Sequence, residues 1–382
     1  MDTRSFIENT LRSIGKESKR LKKSVQEFYD KLLVPVNDQI VQKKVLPETK
    51  ERLQCCFKDI YLSLKVHVMF YRGIDKKPFE ENDKKIDETL KKIRHLLDLK
   101  NEDMDPIDAQ IEGSTYEDLF DKLIDPGSKV LEMFRVVAAS PKGTPQEKSI
   151  QTGSKDHANR VLQMARSFLR TLHDKNTFLP KVLAKVSREE NSFIGASIAV
   201  SHFLRPIYLY SRVINRKKSL AEAIIKFRAL DISPEQNWEF EAFERETVEI
   251  QKNEGKKEIT KQHVGPKDLC QNCKMMFLGD KSGKGGRSFL GACAEYCPVD
   301  ELLPDESKLK VTDVKGDDSV IGYLLKRNLS RCSLLFKEFE NIYERCKSAV
   351  NSGNDREVEA VYWEVIHKLN IFGLKPECNP YF

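Results

Sequence analysis

Residues 11–35, LRSIGKESKRLKKSVQEFYDKLLVP, carry Leu11, Ile14, Ser18, Leu21, Val25, Phe28 and Leu32 at alternating spacings of three and four. That spacing places one apolar stripe along a helix. Ser18 interrupts the stripe, and Val34-Pro35 ends it, because proline disfavours a helical residue before it. A stripe this short fits a bundle helix rather than a coiled coil, which needs more heptads.

The same period recurs along the chain. Pro47 to Tyr71 opens with a proline and glutamates suited to a helix N-terminus, then buries Leu53, Phe57, Ile60, Leu64 and Val68. Further helices are expected at Glu80–Leu99, Thr115–Leu123, Gly127–Ala139 and His157–Leu172. Ser187–Asn215 reads as one long buried helix kinked at Pro206, followed by helices at Ser219–Leu230 and Pro234–Ile250. The aromatic mass of Trp238, Phe240 and Phe243 is assigned to core packing. Asp318–Val350 and Asp355–Asn370 complete the series, separated by the turn Asn351-Ser-Gly-Asn354. Strand signals are confined to short pieces such as Met275–Leu278. The expected fold is mainly α: a multi-helix bundle with a small C-terminal zinc-binding module of four cysteines and a few short strands.

Breaker-rich and polar stretches divide the chain. An N-terminal helical region covers 1–139, a Pro/Gly-rich linker 140–156, and a central helical region 157–250. The cysteine module covers 251–317, and the C-terminal helices cover 318–382.

Composition narrows the class. The 382 residues are 40% hydrophobic, enough for a sizeable core, and 32% charged, which suits solvated helix faces. The net charge of +6 is too small on a chain this long to imply nucleic acid by itself. MDTRSFIENT lacks the apolar core of a secretory signal. The most apolar stretch, Phe193–Leu204, is too short to cross a membrane. Five of the nine cysteines are scattered, so they read as reduced thiols in a cytoplasmic or nuclear protein.

The remaining four form Cys270-Gln-Asn-Cys273, nineteen intervening residues, and Cys293-Ala-Glu-Tyr-Cys297. Two close pairs of soft ligands supply the tetrahedral geometry that zinc prefers. The second pair is one residue wider than the usual spacing, which an i, i+4 pair on a helical turn accommodates. His263 is an alternative ligand. Between the pairs, residues 281–287 form a glycine-lysine loop. It departs from a phosphate-binding P-loop, since only three residues separate Gly279 from Gly283 and Lys284 precedes glycine. A basic tip touching a phosphate backbone or an acidic partner is the other use for it.

Gly291-Ala-Cys-Ala-Glu295 resembles the first metal motif of the cytidine-deaminase-like superfamily. There a Cys or His ligand is followed by Ala-Glu at a helix start, and a later Pro-Cys-x-x-Cys adds two ligands. The resemblance implies Cys293 as ligand and Glu295 as the proton-shuttling catalytic residue. It covers five residues of 382. No Pro-Cys-x-x-Cys follows, and the C-x-x-C lies upstream. Cys297, as a fourth thiolate, would fill the position a catalytic water needs.

With no complete catalytic motif, the first functional reading is a non-enzymatic zinc-binding scaffold that engages a protein partner. The alternatives are a divergent zinc-dependent nucleobase or nucleoside deaminase, active or inactive, and a nucleic-acid binder acting through residues 281–287.

Overall fold

The computed structural model describes residues 3–35, 38, 47–74, 83–96, 123–139, 151–171, 176–232, 237–250, 259–280, 282–283, 290–310, 320–327 and 332–371. It is mainly helical, with a small four-stranded sheet. Helix α1 (Thr3–Phe28) runs into a π-helical turn (Tyr29–Leu33). Then come α2 (Pro47–Ile74), α3 (Asp83–Leu96), α4 (Pro126–Ala139) and α5 (Lys155–Thr171). Leu21, Val25 and Phe28 are fully buried, as their spacing requires, and the helix also buries Phe6 and Ile7 upstream of the quoted stripe.

Two C-terminal helices, α11 (Cys332–Ser352) and α12 (Asp355–Ile371), return to pack on α1. Phe6 meets Tyr362 edge-on at 5.0 Å. Buried apolar residues form one cluster that runs from Phe6 to Val365. The single helix expected over Asp318–Val350 is instead two, α10 (Val320–Lys326) and α11. The expected helix at Thr115–Leu123 lies outside the described residues except for Leu123, which is not helical.

The largest departure is the sheet. Residues 187–215 do not form one helix. β1 (Val182–Arg188) and β2 (Asn191–Ala196) make an antiparallel hairpin, and the helix that follows, α6 (Arg205–Ile214), begins only at Arg205. Pro206 lies in its first turn, where a missing N–H is harmless, so it starts the helix rather than kinking it. A short apolar run that is buried on both faces has no period to distinguish strand from helix. β1 shows this, with buried residues falling at both odd and even positions.

β3 (Trp238–Ile250) replaces the expected helix over Pro234–Ile250, and β4 (Ile259–Lys267) falls within the span assigned to the cysteine module. The 157–250 region therefore holds three strands as well as helices. The strand order is β2-β1-β3-β4, every pair antiparallel. Register puts Ala184 and Val186 beside Ala242 and Phe240 on one face, and Leu183 beside Phe243 on the other. The second face packs on α5, where the Arg166 guanidinium lies 5.1 Å from the Phe243 ring centre. The first face receives α8 (Gln271–Leu278) and α9 (Tyr296–Leu302), the two helices that follow the sheet in the chain. Phe240 stacks on Phe277 of α8 at 5.5 Å. α7 (Lys218–Ile225) is shorter than its expected span.

A buried polar knot ties α2 to the segment between β2 and α6. His67 Nδ1 lies 2.7 Å from the Ser63 carbonyl, Tyr208 Oη lies 2.7 Å from Ser63 Oγ, and the Ser201 amide donates to His67 Nε2 at 3.3 Å. An imidazole donating through Nδ1 and accepting through Nε2 is neutral. Burial holds its pKa down at about 4.

Candidate metal centre

Cys270 and Cys273 occupy the start of α8. Cys270 is the N-cap, with extended backbone, and its carbonyl accepts the first helical hydrogen bond from Lys274 N–H at 2.9 Å. Cys273, three residues on, shares that end of the helix and is fully buried. Met275–Leu278, expected as a strand, is instead the last turn of this helix, which Gly279 closes in the left-handed conformation at φ 67°.

Cys293 sits in the turn that enters α9. Gly291 before it has φ 86°, and a β-carbon there would press on Val213, so the turn needs glycine twice over. The Ile198 amide donates to the Ala292 carbonyl at 2.9 Å and fastens the turn to the chain leaving β2. Across the sheet, a β-carbon at Gly195 would collide with the Ala294 carbonyl oxygen and with Pro298. Glycine in β2 therefore allows α9 to lie directly on the strand.

This arrangement gathers the sulfurs of Cys270, Cys273 and Cys293 within 4.8 Å of one another, a group that could hold a metal ion. Cys270 and Cys293 sulfurs are 3.5 Å apart. Hydrogen bonds from Cys273 and Cys293 pull the Cys270 pKa down to about 2, while the same contacts, with burial, push Cys273 well above the usual thiol range. Cys293 is also pushed well up, first through its contact with Cys270. The mutual contacts thus favour the thiolate at the half-buried Cys270 and the protonated thiol at Cys273 and Cys293.

Glu295 joins them. It is 3% exposed, and its Oε2 accepts from Cys273 Sγ at 3.3 Å. Burial raises its pKa above the ordinary carboxylate value.

Cys297 sits elsewhere. Its sulfur accepts from Arg212 Nη2 at 2.8 Å and from Arg216 Nη2 at 3.2 Å, both on or just past α6. The grouped sulfurs among the described residues do not include it. Arg212 Nη2 also donates to the Ala196 carbonyl at 2.6 Å and the Cys293 carbonyl at 3.2 Å. Arg216 Nη1 pairs with Asp300 at 3.2 Å, one turn further along α9. One arginine therefore joins the end of β2, the Cys293 turn and the first turn of α9. Sequence reading missed it; Arg212 and Arg216 stand one helical turn apart, but their partners are about eighty residues away.

His263 lies exposed on β4 opposite Glu246, outside the sulfur group. Of residues 281–287 only 282 and 283 are described, so the basic tip lies outside the described residues. Among the described residues no helix is long and apolar enough to cross a membrane. No family model, curated protein or solved structure matches the chain.

Proposed function

We propose that this chain is a zinc-dependent hydrolytic deaminase acting on an amino-substituted base, with Cys270, Cys273 and Cys293 as zinc ligands and Glu295 as the proton shuttle. One observation carries the reading: a buried carboxylate touches a three-sulfur cluster, while the fourth nearby sulfur is occupied by two guanidiniums. Three ligands leave one position for water; four would close the site.

The donor set suits zinc. Tetrahedral Zn–S bonds of about 2.3 Å put ligand sulfurs about 3.8 Å apart, and the cluster's spacings of 3.5 Å to at most 4.8 Å bracket that value. When bound, zinc supplies a water acidic enough to be deprotonated near neutral pH. Glu295 would be the group that holds a proton at its carboxylate oxygen between the water and the departing amine. Its burial and raised pKa suit that role. The 3.3 Å contact between Cys273 Sγ and Oε2 places the Glu295 carboxylate against the cluster. Arg212 holds the Cys293 carbonyl, and with it the spacing between ligand and shuttle.

The test is zinc-loaded protein offered free bases, nucleosides and single-stranded oligonucleotides, with conversion of the exocyclic amine to a carbonyl read by mass spectrometry. Glu295→Gln should retain zinc and lose about 100- to 10,000-fold in rate. Zinc-loaded wild-type protein that converts none of these substrates would sink the proposal.

A second reading, the zinc-braced interaction module, draws on one feature: Leu278, at the end of the helix that begins at Cys270, is 56% exposed. Under that reading Leu278→Ser weakens capture of a partner, and Glu295→Gln changes nothing.

A further inference from the structure

Cys297 is the second residue of α9 and is half-buried. Its sulfur lies 2.8 Å from Arg212 Nη2 and 3.2 Å from Arg216 Nη2. Both cations are held in place. Arg216 Nε donates to the Arg212 carbonyl at 3.1 Å, and its Nη1 donates to one Asp300 oxygen at 3.2 Å. The Lys217 amide donates to the other Asp300 oxygen at 2.8 Å. Arg212 is 7% exposed, and its Nη2 also reaches the Ala196 and Cys293 carbonyls.

The cradle offers more donors than the sulfur uses. Arg212 Nε and Nη1 are buried and meet no hydrogen-bond acceptor among the described residues. Asp125 Oδ2 stands 3.9 Å from Nη1, outside hydrogen-bond reach, and that carboxylate already accepts from the Ser128 amide and hydroxyl. A thiol is a weak acceptor. A buried charged donor without an acceptor forgoes one of the stronger hydrogen bonds a protein makes. Spare cationic donors around one sulfur suit an oxygen carried by that sulfur.

We propose that Cys297 is a site of oxidation by hydroperoxides, with Arg212 and Arg216 holding the sulfenic acid that forms. The sulfur attacks the terminal peroxide oxygen: an S–O bond forms, the O–O bond breaks, and the sulfur gives two electrons to the peroxide. The departing oxygen takes the thiol proton and leaves as water or an alcohol. Guanidinium N–H groups beside the sulfur stabilise the negative charge that gathers on the departing oxygen. The step needs neither the metal nor the deaminase reading.

Exposure alone would rank Cys55 first, because it is exposed and Cys297 is half-buried. The two arginines reverse that order. The full chain is treated with hydrogen peroxide in the presence of dimedone, which traps sulfenic acids, and is digested and mapped by mass spectrometry. Fragment ions separate Cys297 from Cys293 and Cys55 from Cys56. Cys297 should be labelled about 10-fold faster than Cys55, the effect of one hydrogen bond to a charged group. Arg216→Gln should slow labelling of Cys297 by a similar factor and leave Cys55 unchanged. Labelling of Cys297 no faster than Cys55, or an unchanged rate in Arg216→Gln, overturns the proposal. If Arg216→Gln does not fold, the ranking of the two cysteines in the wild-type chain decides alone.

Discussion

Zinc affinity should rise steeply with pH. Mutual hydrogen bonding, with burial, pushes Cys273 and Cys293 well above the usual thiol range and holds Cys270 far below it, which favours one charge on the three sulfurs. Loading zinc requires three thiolates, so two protons must leave. The sign follows directly: both thiols stay protonated throughout the neutral range, so each unit of falling pH makes their removal harder. The dissociation constant should fall about 100-fold per unit of rising pH between about pH 6 and pH 8, equivalent to about 2.7 kcal/mol per unit. Chelator competition at several pH values gives the slope. Calorimetry in buffers of different ionisation enthalpy counts the released protons independently. Glu295→Gln separates any carboxyl proton from the thiol count. A slope near zero would mean that the cluster is already ionised, and a slope near three would mean that Cys270 is an ordinary thiol; either result refutes this account of the charge.

Two other perturbations address separate parts of the structure. Cys297→Ser should leave zinc content at one ion per chain by elemental analysis, because the serine oxygen still accepts from Arg212 and Arg216, whereas Cys273→Ser should lose the metal; equal loss in both would restore Cys297 to the ligand set. His67 is neutral and fully buried with its pKa lowered from 6.5 to about 4, so the unfolded chain binds more protons between those values and stability declines as pH drops through that window. The full effect is about 3 kcal/mol, read from urea unfolding, and a His67→Gln variant that keeps the whole slope would contradict it.

Helices were legible wherever the apolar period was clean. Leu21, Val25 and Phe28 are buried as their spacing demands, and Pro47 begins α2 as its chemistry suggests. The sheet was harder, for two different reasons. β1 and β2 are buried short runs without a usable period, so length was the only discriminator. β3 did carry a signal: Trp238-Glu-Phe-Glu alternates strictly, and Thr247-Val248 favours strand, but the aromatic residues were credited to a helical core. β4 lay hidden because Lys261, Gln262 and the Gly265-Pro266 pair interrupt its few strand-favouring residues.

At the site, spacing named Cys270, Cys273 and Cys293 together with Cys297, and Glu295 was named only through the resemblance of Gly291-Ala-Cys-Ala-Glu295 to a deaminase metal motif. The surroundings of Cys297 could not be named, because its two arginines arrive from another helix.

The most direct test of the central claim is X-ray absorption at the zinc edge of the metal-loaded chain. Three sulfurs and one oxygen or nitrogen around the metal are predicted, with the sulfur count unchanged in Cys297→Ser. Four sulfurs in the wild type, falling to three in that variant, would contradict the account and make the centre a closed structural site.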